Sequence, residues 1–129
     1  MHHIIVIDDE DMICTLLRNY LEDRGYRVSV AHDGRQALDL FEQRQADLII
    51  TDIFMPEKDG LEVISALRKK RPEIPIIAMS GGNPTNKQDV LHIAKSLGAA
   101  RIMDKPIELR ELLATIHALL PPVSPPVQS

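Results

Sequence analysis

The stretch DLIITDIFMPEKDG, residues 47–60, changes from apolar to polar within a few positions. Residues 48–50 form an apolar run, Asp52 follows, and Met55-Pro56 leads into a turn. A short apolar run bounded by turn residues is typical of a buried strand. The stretch alone leaves open whether Asp52 is a loop residue, a helix cap, a metal ligand or a nucleophile.

Four similar runs, rich in Ile and Val, alternate along the chain with longer segments of helical period, which predicts five βα units on a parallel sheet. Five strands are too few for an eight-stranded barrel, so we expect an α/β fold with an open, doubly wound (βα)5 sheet. Ligands of such sheets bind beyond the carboxyl ends of the strands. The predicted strands are residues 4–7, 27–31, 48–51, 76–79 and 101–103.

The helical segments carry apolar residues at three- and four-residue spacing, and their ends are marked by capping residues and glycines. The predicted end signals are Asp33 with Gln36, Asp59 with Glu62, Gly25 and Gly98. The predicted buried faces consist of Ile13, Leu16, Leu17, Tyr20 and Leu21; Ala37, Leu38 and Phe41; Leu61, Ile64 and Leu67; Val90, Leu91, Ala94 and Leu97; and Leu109, Leu112, Leu113 and Ile116.

The composition is that of an ordinary globular protein, with 44% hydrophobic and 26% charged residues among 129. A net charge of -4, with two Tyr, two Phe and no Trp, weighs against direct nucleic-acid binding. No apolar run is long enough to cross a bilayer, and MHHIIVIDDE, residues 1–10, does not resemble a secretory signal, so we expect a cytoplasmic protein. The single cysteine, Cys14, is expected to pack in a helix, and the basic run at residues 68–71 to form a solvated helix end.

Polar groups come after four of the five predicted strands: Asp8 and Asp9 after the first, then Asp52, Ser80 and Lys105 after the third, fourth and fifth. Each alone could be a cap, a loop residue or a surface residue, but parallel strands end at one edge and bring such groups together. Three carboxylates in one place repel each other unless a cation joins them. Carboxylates, a carbonyl and water suit Mg²⁺, and without a Cys/His cluster a zinc site is not expected.

Four motifs together resemble the receiver domain of bacterial two-component response regulators: VIDDE (6–10), TDIFMPEKDG (51–60), AMSGG (78–82) and GAARIMDKPI (98–107). The resemblance covers about residues 3–120 and implies a flavodoxin-like sheet with strand order 2-1-3-4-5. We therefore expect a receiver domain over residues 1–120 and a proline-rich tail or linker over residues 121–129.

The resemblance also assigns a phosphoryl acceptor and a set of metal ligands. Asp52 would take a phosphoryl group from a phosphohistidine of a sensor kinase or phosphotransfer protein, with Mg²⁺ as the cofactor. The metal would be bound by Asp9 directly, by Asp8 through water, by Asp52 and by the backbone carbonyl of Phe54. An ionised carboxylate already attacks, so no general base is needed.

The remaining site residues are implied by the same resemblance. Ser80 would hydrogen-bond the phosphoryl group, and Lys105 would pair with its charge, aimed by a Lys105-Pro106 peptide bond that is typically cis in the family. Phosphorylation would shift the face made by the fourth helix, fifth strand and fifth helix between two states. Many receivers carry an aromatic switch residue where this chain has Ile102, so transmission is expected to depend on the loop SGGNPTNKQDV, residues 80–90, which we predict to be the most mobile part of the site.

The expected function is that of a signalling domain, not an enzyme, which assists its own phosphoryl transfer and dephosphorylation. Its expected partners are a histidine kinase or histidine phosphotransfer protein and a downstream protein target or output domain, without nucleic-acid or membrane contacts. A homodimer through the fourth helix, fifth strand and fifth helix is left open. No output module is recognisable after Leu120, which fits a free-standing regulator or a piece that ends in a linker.

Three other interpretations stay open at this point. A pseudo-receiver would act as an interaction module without phosphorylation. A phosphatase or mutase of the haloacid dehalogenase type also has an aspartate nucleophile, but it needs a second Asp two residues on, where this chain has Phe54. A flavodoxin-like electron carrier needs a first loop rich in Ser, Thr and Gly, whereas DDEDM, residues 8–12, would repel a flavin phosphate.

Overall fold

Five strands and five helices alternate in the computed structural model, within the residues it describes, 1–53, 60–81 and 87–121. In chain order they are β1 (His3–Ile7), α1 (Asp11–Asp23), β2 (Arg27–Ala31), α2 (Gly34–Gln43), β3 (Leu48–Asp52), α3 (Gly60–Lys70), β4 (Ile76–Ser80), α4 (Lys87–Ser96), β5 (Arg101–Asp104) and α5 (Leu109–Leu119). Several predictions lie outside the described residues: the Phe54 ligand, the capping box at Asp59, the mobility of residues 82–86 and the tail beyond Pro121.

All five strands are parallel and lie in the order β2-β1-β3-β4-β5, so the predicted fold is confirmed. β1 pairs with both β2 and β3, and β3 is the central strand of the sheet. β3, β4 and β5 each extend one residue further at the carboxyl end than predicted, since Asp52 pairs with Met79 and Ser80 with Asp104 in the ladders, and β1 begins one residue earlier, at His3. The prediction ended before these polar groups, whereas the backbone pairing includes them and so sets their positions in the sheet.

Alternate residues of the sheet pack into two cores, one on each face. Ile5 and Ile7 of β1 lie with α2, α3 and α4, whereas Ile4 and Val6 lie with α1 and α5. All four side chains are fully buried. Burial on both faces is the reason that the strands form unbroken apolar runs in the sequence.

The predicted helix faces are buried or half-buried against these cores, with one exception among the described side chains. Leu16 of α1 is 52% exposed, so its assignment to the buried face was wrong. Cys14, Leu17 and Leu21 form that face instead. Each residue turns the helix by about 100°, which carries Leu16 to the solvent side of this stripe. The side chain of Val90 is not described.

The predicted end signals are confirmed wherever the structure describes them. The Asp33 side chain accepts a hydrogen bond of 2.8 Å from the Gln36 backbone N–H, while the Gln36 side chain accepts one from the His32 N–H. Gly25 and Gly98 follow α1 and α4 with φ of 95° and 102°, in the left-handed region that glycine tolerates best.

The basic run at residues 68–71 is only partly solvated, contrary to prediction. Arg68 donates hydrogen bonds to the carbonyl oxygens of Pro72 at 2.6 Å, Ile74 at 2.7 Å and Gly98 at 2.8 Å. Arg71 likewise donates to a backbone carbonyl, at 2.8 Å. The prediction was wrong for these two residues because a guanidinium can satisfy several carbonyls left free between secondary-structure elements.

The two ends of the described chain meet at the amino edge of the sheet. His2 Nε2 lies 2.7 Å from the carbonyl oxygen of Pro121, which follows α5. His3 is 4% exposed, with Nδ1 2.9 Å from the Gln45 carbonyl oxygen and Nε2 2.8 Å from Ser29 Oγ. Within the described part of the chain, no helix combines the length and apolar character needed to cross a bilayer.

Candidate functional site

Polar residues are buried at the carboxyl edge of the sheet, where the strands end. Asp8 directly follows β1 and is 0% exposed, Asp52 ends β3 and is 4% exposed, and Ser80 ends β4 and is 1% exposed. Charged groups are almost never this deeply buried unless they are paired or bind an ion. The burial of two carboxylates at one edge therefore indicates a built site.

Three of the predicted residues form a carboxylate cluster. Asp8, Asp9 and Asp52 each offer an oxygen, and these oxygens lie within 4.8 Å of one another. Asp9 is the exposed member of the cluster. Hard oxygen donors converging from two strands match the ligand preference of Mg²⁺, so the residues present fit the predicted ion.

Lys105 joins the two buried carboxylates. Its Nζ donates hydrogen bonds of 2.8 Å to Asp8 Oδ2 and 3.1 Å to Asp52 Oδ2, and lies 3.7 Å from Glu10 Oε1. Burial lowers the pKa of Lys105, but the hydrogen bonds and negative charges of Asp8 and Asp52 outweigh it, and the net pKa is raised. The ammonium therefore stays charged and offsets part of the repulsion between the carboxylates.

The backbone around Lys105 sets the direction of its side chain. Its N–H donates 2.8 Å to the Ser80 carbonyl oxygen, and the Lys105-Pro106 peptide bond is cis, as the resemblance implied. The side-chain stem passes over Gly81, where a Cβ would lie 2.8 Å from Lys105 Cδ. Gly81 thus leaves room for the lysine, a role that the prediction did not include although the residue lies in the quoted AMSGG motif.

Ser80 has a partner that sequence reasoning missed. Its Oγ donates a hydrogen bond of 3.2 Å to Oδ1 of Asp104, the last residue of β5. The two residues are paired in the β4–β5 ladder. Ser80 and Asp104 are 24 positions apart, so only the sheet register could have indicated this contact.

Two side chains that the sequence did not place near the site, Cys14 and His32, contact the backbone carbonyl of Asp8. Cys14 Sγ donates to the Asp8 carbonyl oxygen at 3.2 Å, and His32 Nδ1 lies 3.3 Å from the same oxygen. His32 Nε2 also lies 3.3 Å from an Asp11 carboxylate oxygen. Burial, followed by the negative charge of Asp8, raises the pKa of the Cys14 thiol to about 11. Cys14 is therefore a packed, protonated thiol, which agrees with its predicted role.

The position where many receivers carry an aromatic residue is filled by Ile102. Ile102 is half-buried and packs against the core on the α4 side of the sheet. The structure therefore gives this residue a packing role.

The sequence model of the response regulator receiver domain matches residues 4–117 of this chain. The chain belongs to the response regulator receiver domain family. Transcriptional regulatory protein CpxR of Escherichia coli K12 is 37% identical over 120 residues, which are 93% of this chain and 50% of CpxR. Response regulator MprA of Mycolicibacterium vanbaalenii is 36% identical over 122 residues, 95% of this chain and 52% of MprA.

Solved receiver structures agree with the fold. Chemotaxis protein CheY4 of Vibrio cholerae superimposes with a TM-score of 0.84 at 30% identity, over 93% of this chain and 99% of that one. Response regulator TrrA of Thermotoga maritima, solved in complex with Mg²⁺ and beryllofluoride, gives a TM-score of 0.81 at 33% identity, over 93% and 100% of the two chains. This chain spans about half the length of the curated relatives it matches.

Membership of this family gives the domain a phosphoacceptor signalling role in two-component systems. It does not favour the dehalogenase-type phosphatase, the flavodoxin-like electron carrier or the pseudo-receiver. Receiver domains bind Mg²⁺ at an acidic pocket, and the cluster of Asp8, Asp9 and Asp52 agrees with such a pocket.

Proposed function

We propose that Asp52 accepts a phosphoryl group from a phosphohistidine of a histidine kinase or histidine phosphotransfer protein, and that the product changes a protein-interaction face. The observation that carries the proposal is the position of Asp52, buried at a strand end beside Asp8 and Asp9 and hydrogen-bonded to Lys105. A carboxylate in this setting is oriented and close to cationic charge, as a nucleophile for phosphoryl transfer must be.

The metal ligands we propose are Asp9, Asp8, Asp52 and the backbone carbonyl of Phe54. Both carboxylate oxygens of Asp8 already accept hydrogen bonds, from the Glu10 N–H at 2.9 Å and from Lys105 at 2.8 Å. This supports a role for Asp8 through water and a direct contact for the exposed Asp9. When bound, Mg²⁺ supplies positive charge that neutralises the carboxylates and the incoming phosphoryl oxygens.

The protein's own side chains then perform a simple displacement. One Asp52 carboxylate oxygen forms a bond to phosphorus while the bond from phosphorus to the donor histidine nitrogen breaks, and the electron pair returns to the imidazole. Lys105, released from sharing its charge with the Asp52 carboxylate, pairs with a phosphoryl oxygen, and the Ser80 hydroxyl donates to another. Positioning and charge account for the chemistry, so no general base is required.

The wider biology that we propose follows the family. The domain, residues 1–120, is a cytoplasmic signalling module and not an enzyme, although it assists its own phosphoryl transfer and dephosphorylation. Residues 121–129 serve as a tail or linker. Its output is a downstream protein target or output domain reached through α4, β5 and α5, with homodimerisation through the same face as one form of that output. The net charge of -4 argues against nucleic-acid contact by this domain itself.

The proposal is tested by phosphorylation with a small phosphodonor and with a purified histidine kinase, in the presence of Mg²⁺. Asp52→Asn should abolish incorporation of acid-stable but alkali-labile phosphate, measured by intact mass, because the nucleophilic oxygen is replaced by an amide. Asp39→Asn, at an exposed position on α2, is the matched control and should be phosphorylated like the parent protein. Continued phosphorylation of the Asp52→Asn variant would contradict the assignment.

A further inference from the structure

The hydrogen bond to Asp104 engages the Ser80 hydroxyl, which the proposed reaction needs as a donor to the phosphoryl group. Ser80 is 1% exposed, and its hydroxyl donates to Asp104 Oδ1 at 3.2 Å. A serine hydroxyl carries a single hydrogen. It can therefore donate to the Asp104 carboxylate or to a phosphoryl oxygen on Asp52, but not to both at once.

We propose that Asp104 is a positioning residue that holds the Ser80 hydroxyl in its unphosphorylated orientation, so that phosphorylation must first break this hydrogen bond. The inference rests on the proposed function of Asp52 and deepens it, because it names the residue that competes with the phosphoryl group. Pairing of Ser80 with Asp104 in the β4–β5 ladder keeps the backbone of Asp104 beside Ser80 while the hydroxyl rotates. A charged acceptor makes the competition stronger than a neutral one would.

Asp104 also connects the site to the α4 side of the sheet. Alternate residues of a strand share a face, so Asp104 lies on the same side as Ile102, which packs against that core. A groove of about 590 Å³ lies there between α4 and β5, and its lining includes Leu91, His92, Lys95, Arg101, Ile102 and Asp104.

Loss of the Ser80 hydrogen bond removes one donor from the Asp104 carboxylate, which is exposed in a groove that also carries Lys95 and Arg101. A shift of the carboxylate toward these cations changes the electrostatics of α4 and β5. The change of hydrogen-bond partner at Ser80 thus couples Asp52 to α4 through polar groups. The coupling needs no aromatic ring, and this chain has Ile102 where many receivers have one.

The test measures the affinity for beryllofluoride, a phosphoryl mimic, in the presence of saturating Mg²⁺. Asp104→Ala removes the competing acceptor and should tighten binding about three- to tenfold, the range expected for one ordinary hydrogen bond, since Asp104 is exposed and water weakens the effect of its charge. Asp104→Asn keeps a neutral acceptor and should give a smaller gain. Glu111→Gln, which removes an exposed carboxylate on α5, should leave the affinity within about twofold of the parent, since surface charges contribute little.

The double variant separates positioning from a general charge effect. In a Ser80→Ala background, Asp104→Ala should no longer change beryllofluoride affinity, because no hydroxyl remains to be released. An equal gain with and without Ser80, or no gain in the single variant, would overturn the inference. Failure of the parent protein to bind beryllofluoride, or equal binding by Asp52→Asn, would instead overturn the proposed function and this inference with it.

Discussion

Arg68 of α3 donates a hydrogen bond of 2.8 Å from Nη2 to the carbonyl oxygen of Gly98, just beyond α4. Its Nη1 donates at the same time to Pro72 and Ile74, in the connection before β4. One guanidinium thus joins two connections at the amino edge of the sheet, the edge opposite to the carboxylate cluster. The stability of this edge should depend on Arg68 far more than on the exposed Lys69.

Replacement of Arg68 by Met should therefore lower the free energy of unfolding by about 2–4 kcal/mol, because three backbone carbonyls lose a charged donor. Lys69→Met is the matched control: Lys69 is exposed, and its loss should change stability by less than about 0.5 kcal/mol. Urea unfolding followed by circular dichroism measures both. Equal effects of the two substitutions would show that the carbonyls find other partners in water.

Gly98→Ala should destabilise the protein more than Gly25→Ala. Both glycines have positive φ, which costs an alanine about 1 kcal/mol. At Gly98 the new Cβ would also lie 2.9 Å from Arg68 Nε, whereas at Gly25 no atom lies within 4 Å. The excess cost at Gly98 should be about 1 kcal/mol or more. It should shrink in an Arg68→Met background, and its persistence there would exclude a steric origin at Arg68.

Mg²⁺ should raise the melting temperature of the unphosphorylated protein. At an ion concentration about tenfold above Kd, binding adds about 1.4 kcal/mol, or roughly 3–6 °C for a domain of this size. Asp9→Asn should remove most of this shift while Asp39→Asn keeps it, as measured by differential scanning fluorimetry. Retention of the full shift by Asp9→Asn would argue against a direct ligand role for Asp9.

Lys105→Met should lower stability by about 3 kcal/mol at neutral pH, because the buried Asp8 and Asp52 lose their shared cation. Mg²⁺ should restore part of the loss, since a divalent ion replaces the missing charge. The pKa of Lys105 is raised above its ordinary 10.5. Its contribution should therefore be full below pH 10.5 and disappear as pH rises through the raised value.

Unfolding of the parent and the Lys105→Met variant at several pH values, with and without Mg²⁺, tests this prediction, with Lys69→Met as the control for loss of a lysine. The prediction would be contradicted if the difference in unfolding free energy between parent and variant stayed the same at every pH and did not change with Mg²⁺.

Cys14 should react with thiol reagents about a hundredfold more slowly in the folded protein than in urea, because its pKa is about 11 instead of 9.0 and only the thiolate reacts. The same shift should make stability fall as pH rises from 9.0 to about 11, since the folded state favours the protonated thiol. Ellman's reagent at pH 8 measures the rates. Similar rates in the folded and unfolded states would mean that the thiol is neither buried nor protonated as described.

The features that the sequence predicted well depend on local pattern. Five apolar runs and the helical periods between them predicted the element order, and the resemblance supplied the strand order that the structure confirms. The residues of the carboxylate cluster and Lys105 could be identified from the sequence because the residues that follow parallel strands lie at one edge of the sheet. Their roles in phosphoryl transfer stay predictions.

The features that the sequence did not predict depend on contacts between distant residues. The Ser80–Asp104 hydrogen bond requires the β4–β5 register, and the contact of Arg68 with Gly98 spans 30 positions. His32 follows a strand end without any motif, yet its ring lies against the Asp8 carbonyl. Such contacts are set by the packing of whole elements, which periodicity does not encode.

The meeting of His2 with Pro121 gives this fold a practical property. Because the ends of the described chain lie together, far from the carboxylate cluster, a short bridge between them could close the backbone into a ring. New ends opened between the exposed Arg24 and Gly25, in the connection from α1 to β2, would give a circular permutant. Such a permutant should keep the site at the carboxyl edge intact, and a fluorescent reporter could then be attached at the new opening.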